Sequence, residues 1–175
     1  MAPDIRELVL ARIRDVPDFP EPGVLFKDFT PLLSDGDALR AVVRDVCDRY
    51  AGGVDVVVGI EARGFIFGAA VAYQLGTGFV PVRKAGKLPA LALREEYTLE
   101  YASAVLEVHS DAFTPGQRAL VMDDVLATGG TAAAACRLVE RAGARVVAVE
   151  VVLELAALNG RDQLVDRTVH AVVTV

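Results

Sequence analysis

The sequence predicts an α/β domain built on a mostly parallel sheet flanked by helices, and three observations carry that expectation. Runs rich in β-branched residues alternate with runs whose apolar residues recur at three-to-four spacing. The hydrophobic fraction, 53% of 175 residues, is enough for one substantial core, so residues 1–175 are expected to form a single domain. One predicted strand also runs straight into a glycine turn and a helix start, VMDDVLATGGT at 121–131.

Taken in order, the N-terminal stretch MAPDIRELVLARIRDVPDFP predicts a short amphipathic helix. It lacks the uninterrupted apolar core and small-residue cleavage site of a signal peptide, which points to a cytoplasmic protein. The following DFPEPGVLFKDFTPLLSD carries prolines and a glycine among apolar residues, and is expected to be an ordered loop. Ser34 or Asp35 is placed to cap a helix from about Asp37 to Tyr50, where Leu39, Val42, Val43 and Val46 form the stripe. Val54 to Ile60 reads as a strand buried on both faces, followed by the turn and helix of EARGFIFGAAVAYQLG. Further strands are expected near Phe79 to Val82, from Arg118 to Met122 and from Arg145 to Leu153, with a helix from about Thr131. The long excursion between the second and third strands predicts an antiparallel hairpin, Arg94 to Tyr97 against Ala104 to Val108, with TLEYAS at its tip. No repeat, low-complexity tract or linker interrupts the chain.

Composition excludes several classes. A net charge of −6 argues against a nucleic-acid binder, which needs a basic face to displace counterions from phosphates. Two distant cysteines, Cys47 and Cys136, and two histidines, His109 and His170, suggest neither a disulfide framework nor a zinc site, and none of the four receives a role. The most apolar stretches are too short, or too interrupted by Glu150 and Glu154, to cross a bilayer.

The chemistry concentrates in VMDDVLATGGT. A strand, a glycine turn and a helix N-terminus make an anion site, because the unpaired N–H groups of the first turn point outward and the helix dipole favours negative charge. Gly129 and Gly130 let the backbone approach closely, and Thr128 and Thr131 add hydroxyl donors. The GxxxxGK[ST] pattern is absent, so this is a monophosphate cradle rather than a nucleoside-triphosphate loop. Asp123 and Asp124 would repel a phosphate alone; they call for sugar hydroxyls, a metal or a developing cation beside it. A strand, two acids and a turn also occur as an ordinary helix entry.

The string VMDDVLATGGT resembles the signature of the type I phosphoribosyltransferases. That resemblance implies an α/β fold with a central mostly parallel sheet, a small hood and a flexible β-hairpin loop, and 5-phosphoribosyl 1-pyrophosphate as substrate with Mg2+ as cofactor. FPEPGVLFKDFTPLL (Phe19 to Leu33), GIEARGFIFGAAVAYQLG (Gly59 to Gly76) with VRKAGKLP (Val82 to Pro89), and LELAALNGRDQL (Leu153 to Leu164) are similar to the family's adenine-using members in order and spacing. The resemblance covers nearly the whole chain and implies conversion of adenine and the pyrophosphorylated sugar to AMP and pyrophosphate in purine salvage, by a homodimer.

Carried over by position, Asp123 and Asp124 would hold the ribose hydroxyls, and Ala127, Thr128, Gly129, Gly130 and Thr131 the 5-phosphate. Arg63 matches the pyrophosphate loop, and Arg83, Lys84 and Lys87 form a second cationic cluster near it, although such a run is also an ordinary solvated face. Phe26, by itself a core residue, matches the residue that stacks on the base. Leu25 and Lys27 would offer main-chain groups to the adenine edge, and Leu155 an apolar contact on the other side. Glu100 and Tyr101 fall on the family's mobile loop, with Glu100 the candidate for moving the purine proton and the metal held mainly by substrate. Ala102 and Ala85 depart from common family residues without removing a chemical group. A transferase for another purine base, or a non-catalytic sensor of the same sugar, is the alternative; the first would place a lysine where VVLELAAL has none, and the second a basic face or an added domain.

Overall fold

The computed structural model describes residues 4–98 and 103–175. Helix α1, Ile5–Leu10, starts where the Asp4 carboxylate accepts from the Arg6 N–H at 3.1 Å. The expected loop after it is more regular than its prolines suggested. Strands β1 (Arg14–Pro17) and β2 (Leu25–Asp28) pair antiparallel as a two-stranded hood. Pro20 and Pro22 lie in the connection, where a missing N–H breaks no ladder. Two register partners close the hairpin with ion pairs, Arg14 to Asp28 at 2.6 Å and Lys27 to Asp15 at 2.7 Å. Thr30–Ser34 forms the short helix α2 with Pro31 in its first turn, where proline is tolerated.

Helix α3, Gly36–Tyr50, is capped by Asp35, whose carboxylate accepts from Asp37 N–H at 3.0 Å and Ala38 N–H at 3.1 Å. Its predicted stripe is confirmed in Val42, Val43 and Val46, all buried. Strand β3 (Val56–Ile60) is buried along its whole length, and α4 (Arg63–Leu75) ends on Gly76 in the left-handed region at φ 69°. Strand β4 is Gly78–Lys84. The predicted hairpin is present as β5 (Ala92–Thr98) and β6 (Ser103–His109), each longer than expected. Glu100, Tyr101 and Ala102 lie outside the described residues.

Strand β7 runs from Arg118 to Leu126, well past the expected end at Met122, so the paired acids belong to the strand itself. Helix α5 is Gly130–Arg141 and β8 is Arg145–Glu154. Two short 3₁₀ turns, Ala156–Leu158 and Gly160–Leu164, lead to β9, Val169–Thr174, an element the sequence did not disclose.

Among the described residues the large sheet has seven strands, in the order β5-β6-β4-β3-β7-β8-β9. Neighbours from β4 through β3, β7 and β8 to β9 are parallel, and only the β5–β6 hairpin joins antiparallel. Strand alternation divides the core in two. Val57, Leu120 and Met122 pack with α3 and α4 on one face, while Val56, Val58, Ala119 and Val121 pack with α5 on the other. From β3 the chain crosses by α4 to β4, and from β7 by α5 to β8 on the opposite side. The crevice where an open α/β sheet takes its ligand therefore lies between the carboxyl ends of β3 and β7.

Candidate active site

The site is assembled at those two strand ends. After β7, Gly129 adopts φ 85° and opens α5, and no side chain caps that helix. The first helical bond is Ala133 N–H to Gly129 C=O at 2.9 Å, leaving the earlier N–H groups of the turn for a ligand. Thr128 is exposed and Thr131 half-buried beside a cleft of about 150 Å³, which Asp123, Ala127 and Gly129 also line. The predicted phosphate residues thus span the turn and the first residues of α5, and the geometry explains Gly129. A Cβ on Gly129 would lie 2.1 Å from the Gly160 carbonyl oxygen, and one on Gly160 would lie 2.3 Å from the Ala127 oxygen. Gly160 is a supporting residue that no sequence pattern singles out, since only the fold brings the 3₁₀ turn against the loop.

The paired acids differ in their surroundings. Asp123 is half-buried, faces the cleft of the loop and accepts the Asp124 N–H at 2.9 Å. Burial, reinforced by the neighbouring Asp124 charge, pushes its carboxyl well above the ordinary range. Asp124 is buried and accepts a hydrogen bond from the Arg63 Nε. The first turn of α4 presses on the pair: a Cβ on Gly64 would come within 2.7 Å of the Met122 oxygen and 3.0 Å of the Asp123 Oδ1.

Arg63 also reaches the hood. Its guanidinium carbon lies 5.3 Å from the Phe26 ring centroid, and Phe19 meets Phe26 edge to face at 5.1 Å. Phe26, Arg63 and Asp124, distant in sequence, are therefore one contact chain from hood to sheet. Leu25 is half exposed, Lys27 is held by Asp15, and Leu155 sits at the end of β8, where its N–H donates to the Leu126 C=O at 2.9 Å.

The second cationic cluster is organised around Glu61, to which the sequence alone assigns no role. Its carboxylate accepts from Lys87 Nζ at 2.5 Å, Lys84 N–H at 3.0 Å and Arg83 Nε at 3.4 Å. The Lys87 hydrogen bond, helped by the Lys84 N–H and Arg83, holds Glu61 down to about 2 against the opposite pull of burial. Arg83 and Lys87 are therefore no solvated surface run; they converge beside the turn that carries Arg63.

A parallel sheet whose β7 delivers two acids to an uncapped helix start fits a phosphoribosyltransferase, and residues 34–173 match the phosphoribosyl transferase domain, which shows that class. The adenine phosphoribosyltransferase of Salinispora tropica is 61% identical over 171 residues, covering 97% of this chain and 90% of that protein. That of Thermobifida fusca is 53% identical over 176 residues, covering all of both chains. Among solved structures, the adenine phosphoribosyltransferase of Rhodothermus marinus superposes with a TM-score of 0.93 at 48% identity and covers 98% of each chain. The Saccharomyces cerevisiae enzyme, solved with an imino-altritol bisphosphate and adenine, gives a TM-score of 0.92 at 36% identity, covering 97% of this chain and 98% of that one. The chain belongs to the adenine phosphoribosyltransferase family.

Proposed function

We propose that this chain joins adenine N9 to C1 of 5-phosphoribosyl 1-pyrophosphate, forming AMP as the C1–O bond to pyrophosphate breaks. The observation that carries the reading is the contact chain from Phe26 through Arg63 to Asp124, which sets an aromatic base platform, a cation and a sugar acid side by side at the β3–β7 crevice. The uncapped α5 start next to it takes the 5-phosphate through the N–H groups of residues 127–131 and the hydroxyls of Thr128 and Thr131. Asp123 and Asp124 hold the ribose hydroxyls, and the Asp124 carboxylate stabilises positive charge as the bond to the leaving group lengthens. Phe26 stacks on adenine, main-chain groups of Leu25 and Lys27 read its edge, and Leu155 closes the other face. An oxo group in place of the amino group would set acceptor against acceptor.

Arg63, Arg83, Lys84 and Lys87 bind the pyrophosphate arm. Glu100, outside the described residues, takes the N9 proton on the strength of the family resemblance. Bound Mg2+, carried mainly by substrate oxygens beside Asp123 and Asp124, would supply positive charge against the leaving group. Among the described residues no group of three or more His, Cys, Asp or Glu side chains forms a metal cage, while Asp123 and Asp124 are hard oxygen donors suited to an ion carried mainly by substrate oxygens. Two buried free cysteines fit a cytoplasmic enzyme, and we place it there as a homodimer. No helix among the described residues is long and apolar enough to cross a membrane.

The test is incubation with the pyrophosphorylated sugar, Mg2+ and each nucleobase in turn. Adenine alone is expected to yield a nucleotide efficiently; equal turnover of hypoxanthine or guanine, or none of adenine, would refute the assignment.

A further inference from the structure

We propose that Glu61 is a resident competitor for the pyrophosphate subsite: its carboxylate occupies the cationic cluster of Arg83, Lys84 and Lys87 and gives way to the pyrophosphate arm, so that the product is held less tightly and leaves. The inference rests on the reaction proposed above and deepens it at one subsite.

The geometry is that of an anion-binding site already filled. A main-chain N–H, an ammonium and a guanidinium converge on one carboxylate, at 3.0, 2.5 and 3.4 Å. These are the donor types that receive phosphate oxygens. Arg83 is further fixed by donating to the Lys87 C=O at 3.1 Å, so the donors are arranged around the acid rather than fanned into solvent. Glu61 itself is only 10% exposed, whereas Lys87 is 48% exposed. The carboxyl stays ionised at neutral pH, since its pKa is near 2. The sugar side repeats the device, with Arg63 engaged by Asp124. Each cation of the subsite that has an acid partner must therefore exchange or share it when an anion arrives. That exchange subtracts equally from affinity for the pyrophosphate of product and of substrate, but free pyrophosphate has no ribose or 5-phosphate anchored elsewhere to offset the loss.

The experiment titrates inorganic pyrophosphate with Mg2+ into the full-length protein by calorimetry. Glu61→Gln, which keeps the shape and removes the charge, is expected to bind about fivefold tighter, the scale of one partly exposed ion pair released. Pyrophosphate should then inhibit AMP formation at correspondingly lower concentration. Unchanged or weaker binding overturns the proposal and makes Glu61 a holder of its neighbours instead. Lys87→Met should cost more affinity in the Glu61→Gln background than in the parent; equal costs also overturn it. Should Glu61→Gln not fold, Glu61→Asp, which withdraws the carboxylate from Lys87, must show the same tightening, and binding no tighter than the parent refutes the idea. If the parent chain makes AMP and these variants bind as the parent does, this inference alone fails. If the parent makes no AMP yet the tightening is seen, the reaction assignment fails and the competitor remains.

Discussion

Replacing Gly129 by alanine should separate what the phosphate loop owes to backbone conformation from what it owes to contact. Gly129 has φ 85°, a region that costs an L-residue about 1–2 kcal/mol. Gly116 has φ 78° but nothing within 4 Å of where a Cβ would stand, so Gly116→Ala carries the conformational cost alone. For a chain of this size it should lower Tm by about 2–8 °C and leave turnover intact. At Gly129 the new Cβ would also stand 2.1 Å from the Gly160 oxygen, against the 3.4 Å or more of an ordinary contact. Gly160 cannot easily retreat. Arg161, next along the chain, is fixed to Glu154 at 2.7 and 2.8 Å and to the Val169 C=O at 2.9 Å. The loop must therefore move by about 1 Å, and a displacement of that size can cost about 10²-fold in rate. Steady-state kinetics should show kcat/KM for the pyrophosphorylated sugar falling on that scale while KM for adenine stays near the parent value. A Gly129→Ala enzyme that behaves like Gly116→Ala would refute the interlocked loop.

Asp124→Asn removes the charge that engages Arg63 and that, in the proposed reaction, holds the ribose. It should lower kcat/KM by about 10²-fold with little change in Tm, and parent-like kinetics would remove Asp124 from the site. One contribution to stability against acid comes from the Arg118–Asp55 pair, where Arg118 holds the Asp55 pKa down to about 2. A carboxyl lowered by folding adds stability above its unfolded pKa, near 3.8, and loses it as pH falls toward 2. Asp55→Asn should therefore be less stable than the parent at neutral pH and converge with it near pH 2 in a denaturation series; a gap that persists at low pH would contradict the linkage.

The parts of the fold legible in the sequence are those whose pattern is local. The β-branched run of β3 and the stripe on α3 could be read directly because burial on both faces, or on one helical face, dictates residue type at each position. Strand β9 escaped because His170 interrupts a short run, and β2 because nearby prolines read as breakers, although they occupy the connection where no ladder bond is lost. Strand β7 was cut short at Met122 because two acids look like an end; they are tolerated within the strand because Arg63, burial and the open crevice answer them. In the site, VMDDVLATGGT was legible as one contiguous motif. Glu61 and Gly160 were not, since each acquires its part only from residues brought to it by the fold: the Arg83–Lys87 cluster for one, the Ala127–Gly129 loop for the other.

Two carboxylates beside an anion loop pose an electrostatic problem, and the two acids meet it by different means. Asp124 has a counter-charge in Arg63, whereas Asp123 has the Asp124 N–H and a carboxyl whose burial favours the proton. In the proposed reaction this asymmetry suits a sugar that becomes cationic at C1 only as its bond to pyrophosphate lengthens. When the pyrophosphate arm binds and draws Arg63 toward itself, Asp124 would be left without its partner beside the ribose, and its carboxylate would face the carbon that becomes positive as the bond lengthens. An acid left permanently unpaired would repel the incoming phosphates, and one permanently paired would do nothing for the transition state. A carboxylate whose arginine is drawn off by the bound leaving group would act more strongly on a sugar that has become cationic than on the neutral ground-state sugar, which is the difference in binding that catalysis requires.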